Sequence, residues 1–171
     1  SILSKAVSTS IVCGSGFLAP PGASPPRPAE VIAVRGTRSL AALRGSDRTL
    51  LGDPLVLVDS LVAPVRKRHA VGLVPHVRSV ARWRSANRGR HLLIDPGLDP
   101  WAVVEAIASC ETVLSQSLHG LIVADALGVP NVWIRPSDDM VGGRFKFDDY
   151  FSTLDRAKEC VPEGPAIFER P

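Results

Sequence analysis

Short apolar runs recur along almost the whole chain, each closed by a turn and followed by a helix-length segment. Few folds other than a parallel sheet between helices accommodate such a repeat. The strand-like runs are Ser10-Ile11-Val12-Cys13, Val31-Ile32-Ala33-Val34, Leu55-Val56-Leu57-Val58 and Ala70-Val71-Gly72-Leu73-Val74. Further along come His91-Leu92-Leu93-Ile94-Asp95, Thr112-Val113-Leu114 and Asn131-Val132-Trp133-Ile134. Between them Thr37 reads as the N-cap of a helix through Leu43 that closes at Gly45. A basic, partly helical stretch covers Arg78 to Arg88, and Asp99-Pro100 opens a helix with proline at its first position. Trp101, Val104, Ile107 and Ala108 fall on one face of that helix. Leu118 to Leu127 reads as a helix closed by Gly128 and Pro130, and Phe145 to Lys158 as the last helix, after a polar loop over Asp138 to Arg144. The expected fold is α/β, a Rossmann-like and mostly parallel sheet with helices on both faces. At 171 residues the chain is long enough to bury the core of one such domain.

The tract Pro20-Pro21-Gly22-Ala23-Ser24-Pro25-Pro26-Arg27-Pro28 interrupts this pattern. So many prolines exclude a helix or a central strand, so it reads as a semi-rigid connector and the best candidate domain boundary. Residues 1–28 are expected to be a strand plus connector, and 29–171 the Rossmann-like domain. Ser1 to Val7 carry no basic segment followed by an apolar core, so no signal peptide is expected. No apolar run reaches the roughly 20 residues that span a bilayer, so no integral membrane protein is expected. Cys13, Cys110 and Cys160 are odd in number and far apart, which fits reduced cytosolic thiols better than disulfides or zinc. Cys110 reads as a small packing residue at the end of a helix. No metal-ligand cluster is visible in the sequence.

The net charge is +3, with arginines clustered at Arg66-Lys67-Arg68 and over Arg78, Arg82, Arg84, Arg88 and Arg90. Aromatic residues are only 5%, and none alternates with these bases as a nucleic-acid stacking platform would require. The basic stretch reads as a solvated or anion-attracting face, and nucleic acid is not an expected partner.

In doubly wound sheets ligands collect where strands end and helices begin. Gly14-Ser15-Gly16 lies at such a point, either as a plain strand-ending turn or as a place where backbone approaches a ligand. Arg35 and His76 follow predicted strands, and Lys146 sits just before the last predicted helix. The richest cluster is Ser115-Gln116-Ser117-Leu118-His119-Gly120. Small hydroxyl residues before a helix present free N–H groups and a positive helix end, which favour phosphate or carboxylate. Ser117 is placed as N-cap, with His119 in the first turn. The same residues also fit a capping serine followed by a packed histidine.

The run from Gln116 through Pro130 resembles the S-L-H-G-x-I-x-A-D-A-x-x-x-P segment of the polysaccharide pyruvyltransferase family. Other fragments match in the same order: Gly14-Ser15-Gly16-Phe17, Val34-Arg35-Gly36, Gly52-Asp53-Pro54, Val74-Pro75-His76 and Lys146-Phe147-Asp148-Asp149-Tyr150. The resemblance covers nearly the whole chain. It implies the C-terminal domain of a protein with two Rossmann-like domains, as in GT-B glycosyltransferases, with the active cleft between them. It also implies transfer of the carboxyethylidene group of phosphoenolpyruvate to a sugar of an exopolysaccharide or cell-wall glycan precursor, giving a pyruvate ketal. By motif position His119 corresponds to the family's essential histidine, and Arg35 and Lys146 to cations expected to hold the donor's anionic groups. Gly14, Ser15, Gly16, His76, Ser115, Gln116 and Ser117 are the expected substrate-binding positions. No cofactor beyond the donor phosphoenolpyruvate is implied.

The chain departs from the family pattern in places. It shows no Asn-x-Gly-Asp element, so the family's N-terminal domain is expected to be absent from it: the expectation is a fragment, a natural short form, or a chain whose cleft is completed by a partner chain or homo-oligomer. Gln116 stands where serine is frequent, Thr37 where proline is, and Cys13 where tryptophan is. The expected place is the cytoplasm, including the inner membrane surface, where a lipid-linked oligosaccharide acceptor would be met. The alternatives are a nucleotide-sugar glycosyltransferase of the same architecture and a non-catalytic binding or assembly subunit.

Overall fold

The computed structural model describes residues 3–135, 140–155, 158 and 160–168. The chain forms two compact units: Ser1–Pro54 with Ser137–Ala157, and Leu55–Pro136 with Lys158–Pro171. The proline-rich tract lies inside the first of these.

In the first unit β1 (Ile11–Val12) pairs in parallel with β2 (Glu30–Val31), and β3 (Ala33–Val34) pairs in parallel with β4 (Leu50–Leu51). β2 and β3 are the two halves of the single strand expected over Val31 to Val34. Ile32 joins them, its N–H donating to the Val12 carbonyl and its own carbonyl accepting from Leu50 N–H, both at 2.9 Å. Leu3, Val12, Phe17 and Val34 form the core, with Leu40, Leu43 and Phe145 packed on it.

Two helices complete this unit, α1 (Thr37–Leu43) and α5 (Phe145–Phe151). The cap of α1 is Gly36 rather than Thr37. The first turn closes from Leu40 N–H onto the Gly36 carbonyl at 3.1 Å, and the Thr37 N–H donates at 3.0 Å to Ser152 Oγ, just past α5. Helix α5 is shorter than expected. The hydroxyls of Ser152 and Thr153 turn back onto the carbonyls of Asp149 and Tyr150, at 2.6 and 2.8 Å, and end it there.

The second unit is built on a five-stranded, all-parallel sheet. Its strands are β5 (His69–Val74), β6 (Leu92–Leu93), β7 (Cys110–Ser115), β8 (Asn131–Ile134) and β9 (Cys160–Val161), in the spatial order β6-β5-β7-β8-β9. Side chains alternate between the faces, as strand geometry requires. Val74 and Val113 join Val104 and Ile107 of α3 (Pro100–Ala108) and Val123 and Ala124 of α4 (Leu118–Ala126). On the other face Val71, Leu73, Leu114 and Ile134 meet Trp83 of α2 (Val80–Asn87) and Phe168 of the last 3-10 turn. The Trp83 and Phe168 rings meet edge to face, 5.6 Å between centroids. Helices thus cover both faces, the Rossmann-like arrangement expected from the alternating pattern.

In the second unit local readings changed in three places. Leu55 to Val58 is not a strand but part of a 3-10 helix over Pro54–Leu61. Leu55, Val58 and Val62 turn to the core at helical spacing, while Leu57 and Leu61 stay exposed. Cys110 opens β7 instead of closing a helix, although it is fully buried as expected. Burial pushes its thiol up from the ordinary 9.0, and its Sγ donates to the Ala106 carbonyl at 3.2 Å. Trp101 is exposed, so the buried face of α3 consists of Val104, Ile107 and Ala108. The strand β9 carried no visible sequence signal, being two residues long. Two residues before it, Lys158 buries its ammonium, which pairs with Asp125 and donates to Asn131 Oδ1 at 2.7 Å. The loop expected over Asp138 to Arg144 lies partly outside the described residues.

Among the described residues no helix is long and apolar enough to cross a membrane. No group of three histidine, cysteine or acidic residues is close enough to hold a metal ion, again among the described residues.

The tightest approach in the first unit is at Gly36, where a Cβ would run into the backbone carbonyl of Asp149. Gly36→Ala is expected to cost upward of about 2 kcal/mol, because backbone rather than a flexible side chain must give way. Urea unfolding of the two proteins measures this.

Candidate functional site

In the second unit the first strand in sequence, β5, lies between β6 and β7. The chain therefore steps from β5 to one side and then returns to the other. At such a reversal doubly wound sheets bind ligands beyond the carboxyl ends of the two strands, here β5 and β7. The last ladder pair there is Val74 with Ser115, so Pro75-His76 and Gln116-Ser117 emerge side by side. Two clusters singled out separately in the sequence, His76 and Ser115 to His119, are brought together by this strand order.

The turn from β7 into α4 is braced from within. Ser115 is fully buried; its Oγ donates to the Ser117 carbonyl at 2.9 Å and accepts from Ser117 N–H at 3.1 Å. Ser117 caps α4, its Oγ accepting from Gly120 N–H at 3.4 Å. Gly120 lets the helix start close to the sheet: a Cβ there would sit 2.6 Å from Ser115 Oγ and 2.9 Å from Val74 Cγ1. His119, in this first turn, is exposed. The positive end of a nine-residue helix therefore opens beside an exposed imidazole, a setting suited to an anion and to proton transfer.

Gln116 takes the opposite face of β7 and has no exposed surface. Its Oε1 accepts from the His76 N–H at 3.2 Å, and its Nε2 donates to Glu163 Oε2 at 2.8 Å. Its own N–H donates to the Val74 carbonyl at 2.8 Å. The His76 ring caps the following 3-10 turn, Nδ1 accepting from Arg78 N–H at 3.3 Å. In the neutral ring that acceptor role puts the proton on Nε2.

The first unit gathers the other expected residues. Gly14 follows β1 at a φ of +73°, and Ser15 forms a parallel bridge with Val34. Gly16 lies against the Arg35 guanidinium. Arg35 is buried and its Nη2 is committed twice, to Asp149 Oδ2 at 3.0 Å and to the Phe17 carbonyl at 2.6 Å. Its Nε has no hydrogen-bond partner among the described residues. The Asp149 carboxylate, fully buried, also accepts from Ser39 N–H at 2.8 Å and from Ser39 Oγ at 2.7 Å. Ser39 Oγ in turn accepts from Phe17 N–H at 3.0 Å. The turn after β1 is thus locked by Arg35 and Ser39, which share one carboxylate.

Lys146 lies inside α5, at its second residue, not before it. Its ammonium sits 5.2 Å from the Phe147 ring centroid. Burial, with the neighbouring Arg35 charge as a second cause, lowers its pKa from the ordinary 10.5.

Three residues of these networks were not expected from the sequence. Asp149 lay within a recognised fragment but was given no role. Ser39 and Glu163 had no signal, because their partners lie 110 and 47 residues away in the chain.

Residues 16–138 match the family model described as polysaccharide pyruvyl transferase, and the chain belongs to that family. It is 31% identical to the succinoglycan biosynthesis protein ExoV of Rhizobium meliloti, over 84% of this chain and 47% of that protein. It is also 28% identical to an uncharacterized protein of Acanthamoeba polyphaga mimivirus, over 71% of this chain and 47% of that protein. The chain therefore spans about half the length of these relatives.

Two outcomes follow from the first unit. Asp149→Ala leaves the Arg35 charge buried without its counter-ion and is expected to cost about 3–5 kcal/mol in chemical denaturation. Lys146 binds its proton less tightly in the folded than in the unfolded chain, so the ionised lysine opposes folding at neutral pH. That cost is fully present below the lowered folded value and is relieved as pH rises from there towards 10.5. Lys146→Met should therefore raise the unfolding midpoint at pH 7, with a gain that shrinks at alkaline pH.

Proposed function

We propose that this protein takes part in transferring a pyruvyl group from phosphoenolpyruvate to a sugar of an exopolysaccharide precursor, forming a ketal and releasing phosphate. The observation that carries the reading is the Ser115–Gly120 turn. A buried, self-braced strand end leads into an open helix start with an exposed histidine, on the segment whose sequence matches the family most fully. Membership of the polysaccharide pyruvyl transferase family supports it, as does the similarity to a succinoglycan biosynthesis protein.

The chemistry accounts for the residue types. A proton must reach the methylene carbon of phosphoenolpyruvate, giving an oxocarbenium-like centre at the adjacent carbon. One sugar hydroxyl adds there and loses its proton; a second hydroxyl then replaces the phosphate, which leaves with the remaining proton. His119 is the group assigned to this proton traffic, since imidazole changes charge near neutral pH. The start of α4, with Ser117 and the backbone beyond it, is assigned to the donor's phosphate or carboxylate. His76 stands at the same strand ends and is assigned to substrate.

Lys146 is proposed as an anion contact within the first unit. An anion beside it would raise its depressed pKa and hold it ionised. Arg35 is assigned a supporting role, because its guanidinium is held by Asp149 and Phe17. It fixes the turn that carries Gly14, Ser15 and Gly16. The acceptor is proposed to be a lipid-linked oligosaccharide met at the cytoplasmic membrane face.

The test is phosphate release from phosphoenolpyruvate with a panel of glycan acceptors, with the ketal methyl group followed by NMR. His119→Ala is expected to reduce turnover by about 10²–10⁴-fold, the usual range for a lost proton-transfer group. Absence of any ketal with the unsubstituted protein across the panel would remove the reading.

A further inference from the structure

Glu163 lies outside every sequence fragment that suggested a function, yet its carboxylate is where the switch-point turn is anchored. Oε2 accepts from Gln116 Nε2 at 2.8 Å. Oε1 accepts from Trp83 Nε1 at 2.8 Å and pairs with Arg82 Nη2 at 2.6 Å. The Glu163 side chain is 16% exposed and that of Arg82 58%, so the ion pair has a wet side and a protected one. Gln116 is on the protected side.

A buried glutamine amide has two orientations that fill the same space. Turned one way, Gln116 donates to Glu163 and accepts from the His76 N–H. Turned the other way, it would set its carbonyl against a carboxylate and its NH₂ against an N–H. An ionised carboxylate only accepts, so Glu163 selects the first orientation, in which Nε2 also donates to the Arg135 carbonyl at 3.4 Å. The His76 N–H lies beyond the final ladder pair of β5 and β7, where no strand partner could satisfy it. The Gln116 amide therefore extends the pairing of the two strands past the end of the sheet.

We propose that Glu163 is a positioning residue. By fixing the amide of Gln116 it sets the backbone of His76, and with it the spacing of the two strand ends. The inference rests on the proposed function for the ligand, phosphoenolpyruvate, but not for the orientation, which is a matter of donors and acceptors.

Glu163→Gln tests it. A second amide must set a donor against at least one of the three N–H groups now served by the carboxylate. Hydrogen exchange at the His76 amide, read by NMR in this chain, should accelerate about tenfold, the cost of one hydrogen bond. The Ile94 amide, bonded to the Leu73 carbonyl, should keep its protection. Phosphoenolpyruvate affinity should fall about tenfold or more, as the strand ends lose their spacing. Trp83→Phe removes a different donor from Glu163 and should lower the unfolding midpoint while sparing His76.

If the His76 amide exchanges at the wild-type rate in Glu163→Gln, the proposal falls. It also falls if Trp83→Phe disturbs His76 equally, since packing alone would then explain the effect. If the unsubstituted chain binds no phosphoenolpyruvate but the exchange pattern is as expected, the proposed function loses and the positioning role of Glu163 stands.

Discussion

The first unit is assembled around one buried carboxylate. Asp149 has no exposed surface, and a charge in that position is tolerated only if every lone pair facing the interior is met. Arg35 meets it with a guanidinium and Ser39 with both a backbone and a side-chain donor. Those partners sit after β3 and within α1, while Asp149 comes from α5, more than a hundred residues later. The carboxylate therefore decides that the two stretches belong to one body. Much else follows from it: Gly36 must lack a side chain, Gly16 lies against the arginine, and Phe17 is tied through both its N–H and its carbonyl. Lys146, three residues before Asp149, shares this neighbourhood with Arg35, and its lowered pKa reflects that company as well as burial.

The second unit shows how a site arises from strand order. No residue between Val74 and Ser115 announces that β5 and β7 will be neighbours. Once they are, alternation along β7 sends Ser115 and Gln116 to opposite faces, and each has a separate task. Ser115 turns its hydroxyl back on the loop and keeps the start of α4 pressed to the sheet, with Gly120 permitting the approach. Gln116 reaches across to the end of β5. His119 is left at the exposed start of the helix. The hydroxyls expected to meet an anion are thus partly spent on shaping the turn, and the proposed function relies on the helix end and the exposed imidazole instead.

Elements with strong local grammar were legible in the sequence. Asp99-Pro100 opened a helix where the cap and the first-position proline said it would, with Asp99 Oδ1 accepting from Ala102 N–H at 3.0 Å. Ser117 capped α4, and the apolar runs around Val71, Val113 and Val132 became sheet strands. Where local grammar was ambiguous, the reading failed. Leu55 to Val58 has the composition of a strand, but Pro54 and the spacing of its core contacts make it helical. Thr37 is an acceptable cap by type, yet Ser152 takes its N–H and the cap moves to Gly36.

By itself the sequence determined the class of fold, the family, and the strand-turn-helix that carries His119. These follow from short-range periodicity, capping and a motif contiguous along the chain. Only the tertiary structure decided which of the candidate residues stand together. It gave Arg35 a counter-ion, set Lys146 inside a helix, brought His76 beside Gln116, and put Glu163 behind both. Apart from the place of Lys146 in its helix, each of those facts joins residues tens to more than a hundred positions apart. Burial of charge and the order of strands in a sheet are properties of the packed whole, and no local window of sequence contains them.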